Sequence, residues 1–218
     1  MCMVKPLNLV YPPKCVFCKQ IMGHGANHEM PCEVCVRTLP IIPRGKIAVQ
    51  MPGMLCVAPL AYRGRVPAAL KGLKFHGRLS GVRCFAALMR SALTAAGRTE
   101  FELVTWAPLG FWRLHGRGYN QSRLLARELA KMLGLPCRAT LLKTRGTPPQ
   151  SRLADSGARL LNASGAYRPR PFADLSGKRV LLVDDIITSG ATALSCAREL
   201  RDAGAADVTC VTAARSRI

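Results

Sequence analysis

The 218-residue sequence sets 32 lysines and arginines against 12 acids, a formal charge of +20, with a hydrophobic fraction of 49% that is ordinary for a folded protein. That length suits one good-sized domain plus a small appendage, and charge on this scale predicts attraction to polyanions, above all nucleic acid, unless a genome rich in arginine codons has inflated it. No uncharged apolar run reaches the roughly 18 residues of a membrane span, and the patch at residues 7–11 is too short for a signal-peptide core, so membrane insertion is excluded and a cytoplasmic protein expected.

Four of the ten cysteines form two close pairs, Cys15-Val-Phe-Cys18 and Cys32-Glu-Val-Cys35, separated by the thirteen residues 19–31. Each C-x-x-C places two thiolates on one turn, and two such turns complete a tetrahedron for a structural zinc. Redox chemistry at one pair is the alternative, but it does not require the second pair. His24 and His28 lie between the knuckles, where four cysteines already fill a structural site. The ribbon and its linker occupy 1–45. Cys2, Cys56, Cys84, Cys137, Cys196 and Cys210 stand singly in mostly apolar surroundings and read as core filler.

Residues 39–52 carry several prolines with little periodicity and read as a linker. Residues 55–62 suit a strand; 66–75 and 83–96 have helical character, the first ending in a basic string with Lys71 and Lys74. From residue 102 the chain alternates, with a strand over 102–107, a helix over 119–133, a strand over 138–143 and a long polar stretch to 167. A strand over 180–183, a helix over 193–203 and a last strand over 208–213 follow. Such alternation predicts an α/β domain over 55–218, a parallel sheet flanked by helices.

Within the helix at 119–133, Leu125, Leu129 and Met132 share one face, while Arg123, Arg127 and Lys131 share another at spacing four. A basic stripe of this kind suits a solvated outer face as well as a polyanion. The preceding loop, residues 113–122, carries two glycines, two arginines including Arg117, and Asn120-Gln121. It reads as an anion-binding loop.

The densest chemistry lies between 178 and 192. The apolar run Val180-Leu-Leu-Val183 is suited to a strand buried on both faces, and it is followed directly by Asp184 and Asp185. Thr188, Ser189, Gly190, Ala191 and Thr192 then precede a helix. Ligands of open α/β sheets bind beyond the carboxyl ends of strands, and small residues before a helix let backbone N–H groups and the helix N-terminus meet a phosphate. The two carboxylates can accept hydrogen bonds from the vicinal hydroxyls of a ribose. Taken alone, the Asp-Asp pair suits a helix cap; the full string is far more restrictive, and it resembles the phosphoribosyl-pyrophosphate (PRPP) signature of the type I phosphoribosyltransferases.

The whole chain resembles the ComF family, phosphoribosyltransferase-like proteins linked to DNA uptake in natural competence. The likeness rests on the residues leading into Cys15 and Cys18, the second cysteine pair, Lys71 and Lys74-Phe75, Arg117-Gly-Tyr-Asn-Gln121, Gln150 with Arg159 and Asn162, and the Asp-Asp signature. It implies that Asp184 and Asp185 hold the ribose hydroxyls, with magnesium bridging to pyrophosphate, and that residues 188–192 cradle the 5′-phosphate. Pro108 and Leu109 correspond to the family's pyrophosphate loop. Residues 144–167 fall where type I enzymes carry a lid, with Lys143, Arg145, Arg152 and Arg159 as anion contacts. Because the sequence closes at Ile218, the nucleobase hood is expected to come from the ribbon and the helices before Gly97. Two functions follow as expectations: handling of single-stranded DNA in transformation, with a competence helicase and a recombination mediator as partners, or phosphoribosyl transfer from PRPP to an unidentified nucleophile.

Overall fold

The computed structural model of the chain describes residues 12–23, 29–76, 79–110, 114–116, 118–144, 165–171 and 173–216, without the side chains of 74–76, 79 and 80. Among these residues the centre is a mixed sheet in the order β1-β2-β8-β7-β4, with β3 also on β8. Within it β7 (Arg179–Ile187) pairs in parallel with β8 (Asp207–Arg215) on one side and β4 (Leu103–Trp106) on the other. Parallel partners β2 (Met54–Val57) and β3 (Leu60–Ala61) continue from β8, and β1 (Ala48–Met51) runs antiparallel at the edge.

The strands alternate between two cores. Leu181 and Val183 of β7, with Val211 and Ala213 of β8, enter one hydrophobic cluster. Val180 and Leu182, with Val208 and Cys210, enter the other. This two-sided burial is why the strands read as uninterrupted apolar runs, and each buried Leu or Val contributes about 1.5–3 kcal/mol of transfer free energy. The first face is covered by α2 (Val66–His76), α3 (Leu79–Ala95) and α4 (Gln121–Leu133). The second is covered by α5 (Ala191–Asp202) and a ribbon of β5 (Leu141–Lys143) paired antiparallel with β6 (Tyr167–Pro169).

Differences from the sequence reading have local causes. Part of the stretch read as a linker forms β1, where Pro52-Gly53 makes the turn into β2 with Gly53 at φ 74°. The strand expected over 55–62 is split at Ala58-Pro59, since proline has no N–H for a ladder. Residues 136–138 lie beside β4 instead of in β5, with Val104 N donating to Pro136 O and Arg138 N to Val104 O. Most important, β7 does not stop at Val183; it runs through both aspartates to Ile187.

The N-terminal knuckle folds back through hydrogen bonds from Cys15 N to Gln20 O and Met22 N to Pro13 O, with Lys19 in the left-handed region at φ 66°. The second knuckle opens the short helix α1 (Glu33–Thr38), whose N-cap position is Cys32. Phe17 is buried edge-on against Phe85 of α3, with ring centroids 5.3 Å apart. A side chain at Gly81 would meet Leu73 Cδ2 at 2.8 Å and Val16 Cγ2 at 3.0 Å, so a glycine lets the ribbon approach α3 this closely.

Candidate functional site

The carboxyl end of β7 builds a cleft with Asp184 at its floor. Ile187, Thr188, Gly190, Ala191, Thr192 and Thr212 are among the residues that line it. Gly190 takes the N-cap position of α5 at φ 77°, and no side chain caps that end. The N-terminus of a 12-residue helix therefore opens at the cleft. Ser189 adds a buried Oγ with no hydrogen-bond partner among the described residues. An uncapped helix start beside an orphaned hydroxyl is suited to receive the oxygens of an anion.

Asp184 is held from a distant helix. Asn120 caps α4, its Oδ1 accepting from Arg123 N, and its Nδ2 donates to Ala107 O at 3.1 Å, which ties the helix to the end of β4. Two residues on, the Ser122 hydroxyl donates to Asp184 Oδ1 at 2.8 Å. Asp185 N donates to the same oxygen at 2.9 Å. The sequence places both Asn120 and Ser122 in an anion-binding loop over 113–122 and gives Ser122 no role of its own. The capping signal, Asn before a helical run, was legible, but which strand the capped helix meets depends on the tertiary fold.

Pro108 and Leu109 follow β4 directly at the same end of the sheet, both half-buried. Lys143 ends β5, and its ammonium stands 5.2 Å from the Tyr167 ring centroid. Burial within α5 pushes the Cys196 thiol well up; Asp184 adds to this and Lys143 opposes it. Arg145, Gln150, Arg152, Arg159 and Asn162 lie outside the described residues with the rest of 145–164, as does Arg117.

The hydroxyl of Tyr119 donates to Leu73 O, joining the loop before α4 to α2. Lys71 is exposed on α2, and the side chain of Lys74 lies outside the described residues. Arg123 and Arg127 are exposed on α4. Lys131, the third member of the stripe, places its Nζ 3.6 Å from Glu128 Oε2, and Arg83 of α3 approaches Glu128 Oε1 at 3.1 Å.

The four paired cysteines come together. The Sγ atoms of Cys15, Cys18, Cys32 and Cys35 lie within 4.8 Å of one another, and those of Cys18 and Cys32 are 3.5 Å apart. This cluster can hold a metal ion. Burial pushes the Cys15 thiol up, but hydrogen bonds from the backbone of Cys32, Cys18 and Phe17 outweigh it and bring the thiol to about 6. Burial, together with the neighbouring thiols, pushes Cys35 up. His24 and His28 lie outside the described residues. No helix among the described residues is long and apolar enough to cross a membrane.

The chain is similar to several known proteins. Residues 120–218 match the family described as "Phosphoribosyl transferase domain". The chain is 28% identical over 222 residues to "DNA utilization protein YhgH" of Salmonella typhimurium, covering 92% of this chain and 96% of the relative. It is 32% identical over 147 residues to "Competence protein F" of Haemophilus influenzae, covering 64% of this chain and 63% of the relative. Among solved structures, a glutamine PRPP amidotransferase from B. subtilis shares 22% identity at a TM-score of 0.42, over 66% of this chain and 30% of the other.

Proposed function

The chain belongs to the ComF family and carries a type I phosphoribosyltransferase-like α/β fold, and on that footing we propose that it handles single-stranded DNA during DNA uptake, with a PRPP-type sugar-phosphate site retained at the end of β7. The observation that carries the DNA reading is the charge of +20. It is supported by the names of the relatives, one a DNA utilization protein and one a competence protein. Phosphate neutralisation by exposed Lys and Arg releases counterions, so binding of a labelled oligonucleotide should fall steeply with salt. Anisotropy titrations at several salt concentrations test this reading.

The sugar-phosphate site rests on the cleft itself. Asp184 and Asp185 would hold the ribose 2′- and 3′-hydroxyls, and Thr188 to Thr192 the 5′-phosphate, using the uncapped start of α5 and the orphaned Ser189 Oγ. Pro108, Leu109 and Lys143 would meet the pyrophosphate end. Hard oxygen donors of this kind suit magnesium, which Asp184 and Asp185 would help to hold with PRPP and which would supply positive charge to the pyrophosphate. The uncapped phosphate cradle also favours a second reading, an active transferase. In it the C1–oxygen bond to pyrophosphate breaks, a bond from an unidentified nucleophile to C1 forms, and the nucleophile gives up its proton. The chain's part would be to orient the ribose and exclude water.

For the cysteine cluster we propose zinc. A tetrahedral zinc thiolate site with Zn–S near 2.3 Å places sulfurs roughly 3.8 Å apart, and the observed cluster is close to that spacing. The metal would be structural, closing two knuckles that share too little buried surface to hold themselves.

A further inference from the structure

One aromatic residue lies where neither the metal nor the sugar-phosphate site uses it. Trp106 ends β4 immediately before Ala107, Pro108 and Leu109, and its ring is half-buried. Arg123 of α4 lies over that ring, its guanidinium carbon 5.7 Å from the centroid. Arg127, one turn further along α4, is exposed. At a spacing of four, Arg127 lies on the face of the helix that carries Arg123. The single acid of α4, Glu128, is engaged elsewhere, by Arg83 and Lys131. The outer surface of α4 is therefore divided. One side is a neutralised ion-pair network, and the other is an aromatic ring with two arginines and no acid from the helix.

Resting on the DNA reading above, we propose that Trp106, Arg123 and Arg127 form a stacking site for an unpaired nucleobase of a single strand, with Arg127 on the adjoining phosphate. A guanidinium layered on an indole offers its own planar face to any base, and the two cations follow the backbone without reading sequence. A duplex keeps its bases stacked on each other and has no free face to offer. The site also stands next to the loop that leads into the cleft of β7, so a strand held here would pass the mouth of the sugar-phosphate site.

The chain has two tryptophans, so Trp112→Phe leaves Trp106 as the sole indole in an otherwise intact protein. Oligothymidylate is titrated into that variant at low salt, following indole emission together with anisotropy of the labelled strand. The expected result is saturable quenching that tracks binding, with a matched duplex quenching little. Arg123→Glu with Arg127→Glu is expected to weaken single-strand binding about tenfold or more, and Arg98→Glu, an exposed cation beside Asp207 at the opposite end of the sheet, to change it by less than about twofold. Full-affinity binding with Trp106 emission unchanged, equal quenching by the duplex, or an equal loss from Arg98→Glu would overturn the stacking site while leaving DNA binding in place. An absence of any binding at low salt would overturn both readings.

Discussion

The hydroxyl of Ser122 at the start of α4 reaches across 62 positions of sequence to donate to Asp184 Oδ1 at 2.8 Å. The backbone N–H of Asp185 holds the same oxygen at 2.9 Å, so one edge of the carboxylate is fixed by two donors. A carboxylate so pinned is oriented before any ligand arrives, which lowers the ordering cost of binding. Removing the hydroxyl should loosen it without unfolding the helix, because the cap at Asn120 remains. We expect Ser122→Ala to weaken PRPP–magnesium binding about tenfold, in line with a lost hydrogen bond to a charged group, and Ser122→Thr to restore most of it. Calorimetric titration of the two variants checks this. Equal affinity in Ser122→Ala and the parent would mean that Asp184 needs no such support.

Metal content and stability should move together at the ribbon. Purified protein is expected to contain about one zinc per chain. Its removal by a chelator should lower the melting temperature of the whole protein, because Cys15 and Cys35 belong to the same core cluster as Phe85 and Leu181. Metal-free protein with four reduced thiols and an unchanged melt would rule out a structural metal.

The ribbon's attachment is testable apart from its metal. Phe17 is buried against Phe85 in an edge-on pair. Phe17→Ala should cost about 3 kcal/mol, the low end for truncating a buried aromatic. Chemical denaturation reads this directly, and a loss under about 1 kcal/mol would show that the ring does not anchor the ribbon.

These energetics explain which features the sequence displayed. Val180 to Val183 read as a doubly buried strand because both cores accept its side chains, and the paired cysteines declared their cluster by spacing alone. The end of β7 was not legible, since aspartates are poor strand formers. The pairing of Asp184 with Thr212 and Ile187 with Arg215 carries the strand on regardless. Strand β1 was hidden for a related reason: four residues of weak alternation among prolines become a strand only because β2 is beside them. Gly190 was legible as a glycine that a phosphate loop needs. The fold adds a demand of its own, a left-handed φ of 77° that strains any residue with a side chain. Replacing Gly190 would disturb folding as well as ligand approach, so it cannot separate the two. The destination of the Ser122 hydroxyl left no local signature at all.

Single-stranded DNA binding should carry a strong salt slope. Arg123→Glu, Arg127→Glu and Lys131→Glu combined should weaken it while the melting temperature stays near that of the parent, since all three side chains are exposed. Anisotropy across a salt series measures both the slope and its reduction in the variant. Binding that does not respond to salt would remove the basic surface from the functional reading.

The most direct measurement is isothermal titration of PRPP with magnesium into the parent protein and into the double variant Asp184→Asn, Asp185→Asn, with thermal melts of both. Asparagine is isosteric with aspartate and keeps an acceptor oxygen for Ser122 and for the backbone N–H at 185, so the fold has no reason to weaken. We expect the double variant to melt at or slightly above the parent temperature, with like-charge repulsion relieved, and to lose PRPP–magnesium binding. A clear drop in melting temperature, as for a lost helix cap of up to ~2 kcal/mol, with PRPP affinity retained, would contradict a ligand site at the end of β7.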